Sequence, residues 1–273
     1  MMRTLITLFC LLPLSAMANI NVVTSIEPIH QITSAIMQGV GKPELLIKRQ
    51  VSAHHFSFRP SHFTLIKNAD LMIWIGRDFE SGFQRLPDIL GTNTRQLELI
   101  NALNLQHQNG HIWYSPVLLP MITDQILAAL SDIDPTNAVH YQSNTKRLLD
   151  SIQKWSDATK ASIAKAAPLY ILDHDFLSHF EQGLGIKASA VLHDSHDQHS
   201  GIHTLKAIEA ALQESPVKCL LINEPMASKL AKNFAAEFDL EVHNIRQASG
   251  DKQQPSGLID SLNRLTVIMQ HCR

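Results

Sequence analysis

The sequence predicts an α/β protein of two similar lobes, each a mainly parallel sheet flanked by helices, joined by a long rigid helix. Three observations carry that prediction. Short β-branched or apolar runs alternate with helical patterns, the signature of a parallel sheet with helices on its faces. The alternation restarts in the second half of the chain. Between the halves, a segment of helical composition contains no glycine and no internal proline. With 273 residues, there is room for two domains of roughly 100–150 residues each.

In the first half, strands are expected over Ile20 to Ser25, Glu44 to Lys48 and Leu71 to Ile75, with helices over Pro28 to Met37 and Pro60 to Ala69. A further run, Gln96 to Ile100, precedes the bridging segment. In the second half, Leu169 to Leu172, Ala188 to Leu192, Lys218 to Ile222 and Leu240 to Ile245 have strand composition. Helices are expected near Phe176 to Gly183, Thr204 to Gln213, Met226 to Phe238 and Gly257 to Gln270. Asp134 as N-cap and Pro135 in the first turn open the bridge. Continued to Lys165, this helix would be about 46 Å long, a strut and not a tether, since tethers are rich in Gly, Ser or Pro. The expected divisions are 1–18, 19–133, 134–166 and 167–273.

Residues 1–18 have the three parts of a secretory signal peptide: Arg3, an apolar core from Leu5 to Leu14, and small residues at Ala16 and Ala18. Cleavage is expected after Ala18, giving an exported chain from Asn19. The apolar core falls short of the ~20 residues that span a bilayer, and Cys10 lacks the small-residue context of a lipid-anchored cysteine. Lys+Arg 23 against Asp+Glu 25 supplies none of the positive excess used for phosphate backbones, so nucleic acid is not an expected partner. Cys219 and Cys272 remain in the mature chain, and in an oxidising compartment two cysteines are most simply a disulfide; two unpaired thiols are the alternative.

Histidine is the compositional outlier, with 15 residues, and imidazole is both a common metal ligand and the proton carrier of neutral pH. In open α/β sheets, ligands bind beyond the carboxyl ends of the strands. His54 and His55, His111, His174, and the run His193 to His203 all follow strand patterns. His30, His62, His140, His179 and His271 are expected to be ordinary surface or interface residues. Two histidines from first-lobe loops and one from the second lobe would face one cleft, and three imidazoles around a point make a transition-metal site.

The segments Ser52-Ala53-His54-His55-Phe56-Ser57-Phe58-Arg59-Pro60-Ser61, His111-Ile112-Trp113-Tyr114-Ser115-Pro116, and His174-Asp175 with His179-Phe180-Glu181 and Gly185 resemble the metal-site signatures of a known family. That family is the zinc/manganese substrate-binding proteins of bacterial ABC transporters, and the chain is most similar to its periplasmic zinc-uptake branch. The resemblance runs through essentially the whole mature chain, including Asn68-Ala69-Asp70, Trp74-Ile75-Gly76, Asn223-Glu224-Pro225 and the cysteine pair.

The resemblance implies His54 rather than His55 as first ligand, His111 as second and His174 as third. A third histidine, where manganese-type members place a glutamate, favours zinc, consistent with nitrogen-rich donor sets. The family's fourth ligand is an aspartate in a Leu-Asp-Pro-like turn, and the matching stretch here, Val242 to Asp251, has no aspartate at the aligned spot. Asp251 in a shifted register, a second-lobe histidine or a water would complete the tetrahedron. The His193 to His203 run stands where the family does not place its His-rich loop; it is either a low-affinity collector, a source of the missing ligand, or a solvated loop.

The implied function is periplasmic Zn²⁺ capture by a monomer that delivers its metal to a membrane permease of a zinc ABC importer, with no catalysis. A zinc hydrolase using an open fourth position, with Glu224 recruited as base, is one alternative. Extracytoplasmic metal storage or adhesion is the other.

Overall fold

The computed structural model describes residues 20–48, 50–193, 208–209, 212, 217–223, 228–245 and 257–273. Two four-stranded parallel sheets organise them. The first contains β1 (Val22–Thr24), β2 (Glu44–Leu45), β3 (Leu71–Trp74) and β4 (Arg95–Glu98), in the order β2-β1-β3-β4. The second contains β5 (Tyr170–His174), β6 (Ala190–His193), β7 (Cys219–Ile222) and β8 (Glu241–Asn244), in the order β6-β5-β7-β8. All six pairings are parallel. The central strands are buried on both faces: β1, β3 and β7 throughout and β5 as far as Asp173. That burial explains why they read as continuous apolar runs instead of alternating ones.

The expected strands are all present, and most end within two residues of the anticipated positions. The exception is β2, where Lys48 lies three residues beyond the last strand residue, because only Glu44 and Leu45 find ladder partners on β1. One shift matters for the site. His174 is not in the loop after β5 but is the strand's last residue. The expected signal segment, and nearly all of the helix anticipated over Thr204 to Gln213, lie outside the described residues. The alternation pattern passes over the short helices Leu86–Ile89 and Leu99–Ala102 and the long helix Leu118–Ile133, whose buried Leu119, Ile122, Thr123, Ile126 and Leu130 follow helical spacing.

The bridge is shorter than anticipated. A 3₁₀ turn over Pro135–Asn137 precedes the α-helix Ala138–Ile163, whose 26 residues span about 39 Å. Asp134 does not cap it through a backbone amide. Its Oδ2 instead accepts hydrogen bonds from Asn137 Nδ2 and Tyr141 OH, both at 2.7 Å. With its carboxylate taken by side chains, the chain enters the helix through the 3₁₀ turn.

This linking helix is tied to both lobes. Near its start, Asn144 Nδ2 donates to the carbonyls of Ile36 and Gln38, both at 2.8 Å, where the first helix, Glu27–Ile36, ends. Farther along, Trp155 Nε1 donates to Thr266 Oγ1 at 3.1 Å, and Thr159 Oγ1 lies 2.7 Å from the same oxygen, on the last helix, Leu258–His271. The main apolar core runs through both lobes. One face of the second sheet (Tyr170, Leu172, Cys219, Leu221) joins it, while the opposite face (Ile171, Leu220, Ile222) packs with Phe234 in a smaller cluster. Cys219 and Cys272 form a disulfide with Cα atoms 5.6 Å apart, joining β7 to the end of the last helix.

Candidate metal centre

Parallel strands end on one edge of a sheet, and that edge supplies the site. His54 sits in the turn beyond β2, His111 immediately precedes the 3₁₀ turn Ile112–Tyr114, and His174 terminates β5. Their ring centroids are 5.4 Å (His54 to His111), 5.3 Å (His111 to His174) and 6.1 Å (His54 to His174) apart. One ligand nitrogen from each lies within 4.8 Å of the others. Zn–N bonds of about 2.0–2.1 Å set tetrahedral ligand nitrogens about 3.3 Å apart, a contraction that small side-chain movements supply.

The orientation of the rings is as informative as their proximity. His54 Nδ1 is 3.2 Å from the Phe79 carbonyl oxygen, His111 Nδ1 is 2.8 Å from Asn109 Oδ1, and His174 Nδ1 is 3.1 Å from an Asp173 carboxylate oxygen. An Nδ1–H donating to each oxygen selects the tautomer with its lone pair on Nε2, the arrangement that orients and strengthens histidine ligands. Asp173 is 4% exposed, so its charge acts on His174 at reduced dielectric. Aromatic rings wall the cluster: Phe79 meets His54 and His111 edge-on at 4.6 and 5.0 Å, and Phe176 lies 5.2 Å from His174. Gly110 makes this packing possible, because a Cβ there would stand 2.4 Å from the Phe79 ring.

Asn109 escaped the sequence reading, although it lies two residues before His111. Besides orienting that ring, its Oδ1 accepts the His111 backbone N–H at 2.9 Å, and its Nδ2 donates to the Asp175 carbonyl in the second lobe. Its own carbonyl is 2.6 Å from His179 Nε2. His179 is therefore a buried inter-lobe contact and not a ligand. Its neighbours in the motif are structural too: Phe180 is core, and Glu181 Oε1 accepts from Tyr170 OH at 2.8 Å and the Ala188 amide at 2.9 Å. Burial raises the Glu181 pKa above the ordinary carboxylate value.

Other motif residues join the lobes. Tyr114 OH donates to Asn223 Oδ1 at 3.0 Å, and a Cβ at Gly183 would come within 2.8 Å of the Pro116 ring. His30 lies 3.1 Å from the Pro43 carbonyl, His62 Nδ1 accepts the Arg59 amide at the start of helix Pro60–Lys67, and His55 and His140 are exposed. Asp251, Glu224, and His196, His199 and His203 lie outside the described residues.

Glu80 supports the loop that presents Phe79. Its fully buried carboxylate accepts the Ile75 and Gly76 amides at 2.9 and 3.0 Å. Burial outweighs these bonds and pushes its pKa from 4.5 up to about 7. An acid whose folded-state pKa is raised contributes stability that is present below the unfolded value and lost as pH rises towards the folded one. Glu80→Gln keeps an acceptor for the amides but does not ionise. The variant's stability relative to wild type is expected to improve by on the order of 3 kcal/mol between pH 4.5 and 8. Denaturant unfolding of chelator-treated protein across that range measures it, and a pH-independent difference would contradict the assignment.

Comparison with known proteins agrees with this geometry. The family model described as ZnuA, zinc-uptake complex component A, periplasmic, matches residues 22–269. The high-affinity zinc uptake system protein ZnuA of Brucella abortus is 24% identical over 263 residues, covering 77% of this chain and 78% of that protein. Its Bacillus subtilis counterpart is 23% identical over 262 residues, with 88% and 82% covered. Among solved structures, the periplasmic zinc binding protein TroA from Treponema pallidum superposes with a TM-score of 0.83 at 14% identity, covering 93% of this chain and 99% of that one. The laminin binding protein of Streptococcus agalactiae gives 0.82 at 18% identity, with the same coverages. At these identities the structural likeness speaks for the fold.

Proposed function

The chain belongs to the periplasmic zinc-uptake complex component A family, and from that premise we propose that it captures Zn²⁺ outside the cytoplasm and delivers it to an ABC-type zinc importer. The family is one of solute-binding proteins, and its members are periplasmic or extracytoplasmic. No described helix is long and apolar enough to cross a membrane. The observation that carries the reading is the convergence of His54, His111 and His174, each with Nδ1 against an oxygen acceptor, at the mouth of two parallel sheets.

In this reading, the three Nε2 atoms hold the metal and a fourth donor completes a tetrahedron. Asp251 is the proposed fourth ligand; in its support, Ile245 and Leu258, described residues that flank its segment, line the same cleft as His54 and His111. The mature protein begins at Asn19, acts as a monomer and docks on a membrane permease. The lobes are 19–133 and 167–273, joined by the bridge at 134–166. Since the linking helix is bonded to both, binding proceeds by loop and small lobe adjustments, not by wide closure. Imidazoles must be neutral to ligate, so affinity falls on acidification. The role is capture without catalysis.

Calorimetric titration of chelator-stripped protein with Zn²⁺ and Mn²⁺ tests the proposal. One tight zinc site that manganese does not match is the expected result; weak binding of both metals would overturn it.

A further inference from the structure

Away from the cleft, a second set of ligand atoms converges on the outer edge of the second sheet. Glu241 and His243 are two residues apart on edge strand β8, so both side chains leave the same face. Their register partners are Cys219 and Leu221 on β7, which places them on the face that joins the main core. The end of the last helix is secured over that face by the Cys219–Cys272 disulfide. It is held further by the Leu169 amide on the Cys272 carbonyl at 2.6 Å and by Arg273 Nη2 on the Ser162 carbonyl at 2.8 Å. These ties bring His271, one residue before the disulfide, against β8.

The result is compact. His271 Nε2 is 2.7 Å from Glu241 Oε2, His243 Nε2 is 3.6 Å from the same oxygen, and the imidazole centroids are 5.3 Å apart. All three ligand atoms lie within 4.8 Å of one another. Among the described residues, His243 Nε2 is buried without a hydrogen-bond partner, a condition that buried polar atoms rarely tolerate unless something else binds there. Two imidazole nitrogens and one carboxylate oxygen form a donor set suited to Zn²⁺, with a water completing four-coordination.

We propose that Glu241, His243 and His271 form a second divalent-metal site, which takes Zn²⁺ more weakly than the cleft. It is weaker because two of its ligands are open to water: Glu241 and His271 are 58% and 56% exposed. The disulfide is disposed to serve it, because Cys272 fixes the helix end from which His271 reaches the strand. A metal there clips β8 to the last helix beside the covalent bond.

Equilibrium dialysis of the oxidised protein against Zn²⁺ in excess of the cleft's capacity tests the site. Wild type is expected to bind one more equivalent than either His271→Ala or Glu241→Gln, both changes at exposed positions. His174→Ala is expected to lose the tight equivalent and keep the weak one. The His193 to His203 run is common to all four proteins, so any zinc it binds cancels in the differences. Identical stoichiometry and affinity for wild type, His271→Ala and Glu241→Gln would overturn the second site. Failure of the cleft reading would register separately, as a tight equivalent that survives in His174→Ala.

Discussion

Replacing His174 with alanine is expected to weaken zinc binding in the cleft by more than about 100-fold, since losing even an outer partner of a metal ligand costs 10–100-fold. His174 is the second lobe's contribution to the cluster, set at the end of β5 and braced by Asp173. Without it, the two first-lobe imidazoles and the proposed fourth donor remain, one protein ligand short of a closed four-coordinate zinc centre. The loss should also appear in unfolding. At zinc a hundredfold above its dissociation constant, a native-state ligand adds about 2.7 kcal/mol, and the variant forfeits that increment. Competition titration against a chelator of known affinity, with thermal melts in zinc and in chelator, measures both. A variant that binds and melts as the wild type does would remove His174 from the site.

Breaking the Cys219–Cys272 disulfide is expected to cost about 4 kcal/mol by the loop-entropy relation for residues 53 apart. In a domain of this size that lowers the melting temperature by roughly 10 °C. The bond closes the second lobe's sheet onto its last helix, whose Thr266 in turn bonds Trp155 and Thr159 of the linking helix. Melting oxidised and reduced protein, both in chelator so that metal linkage does not contribute, isolates the effect. Cys272→Ser should reproduce the reduced value. Unchanged melting on reduction would show that the helix is held by its packing alone.

Much of this molecule is legible along the chain because parallel sheets bury their central strands on both faces. Leu71 to Trp74 and Cys219 to Ile222 are therefore short apolar runs between helical patterns, visible without partners. The histidine cluster was legible for a related reason. Ligands bind beyond strand ends; His174 ends β5, and His54 and His111 lie in the segments that follow β2 and β4, in the order that the family resemblance implies. One local reading went astray. Asp134 looked like a helix cap, yet Tyr141 and Asn137 occupy its carboxylate, a competition that spacing does not reveal. His271 looked like a surface residue and is one by exposure, but it bonds Glu241, 30 residues away.

From its sequence alone this protein's class was determined: the lobed α/β architecture, the cysteine pair, and three imidazoles with a chemical preference for zinc. The architecture and the cysteine pair follow from periodicity and composition, and the three imidazoles and zinc from the family resemblance together with residue chemistry, all of them carried by short stretches of chain. Tertiary structure alone decided which partners those residues meet. Asn109 reaches across the lobes, Phe79 stands edge-on to His54 and His111, Glu80 lies buried next to it in the chain, and His271 is carried to β8 by a disulfide. Contacts between residues far apart in sequence depend on register, helix packing and cross-links together, and no local pattern encodes them.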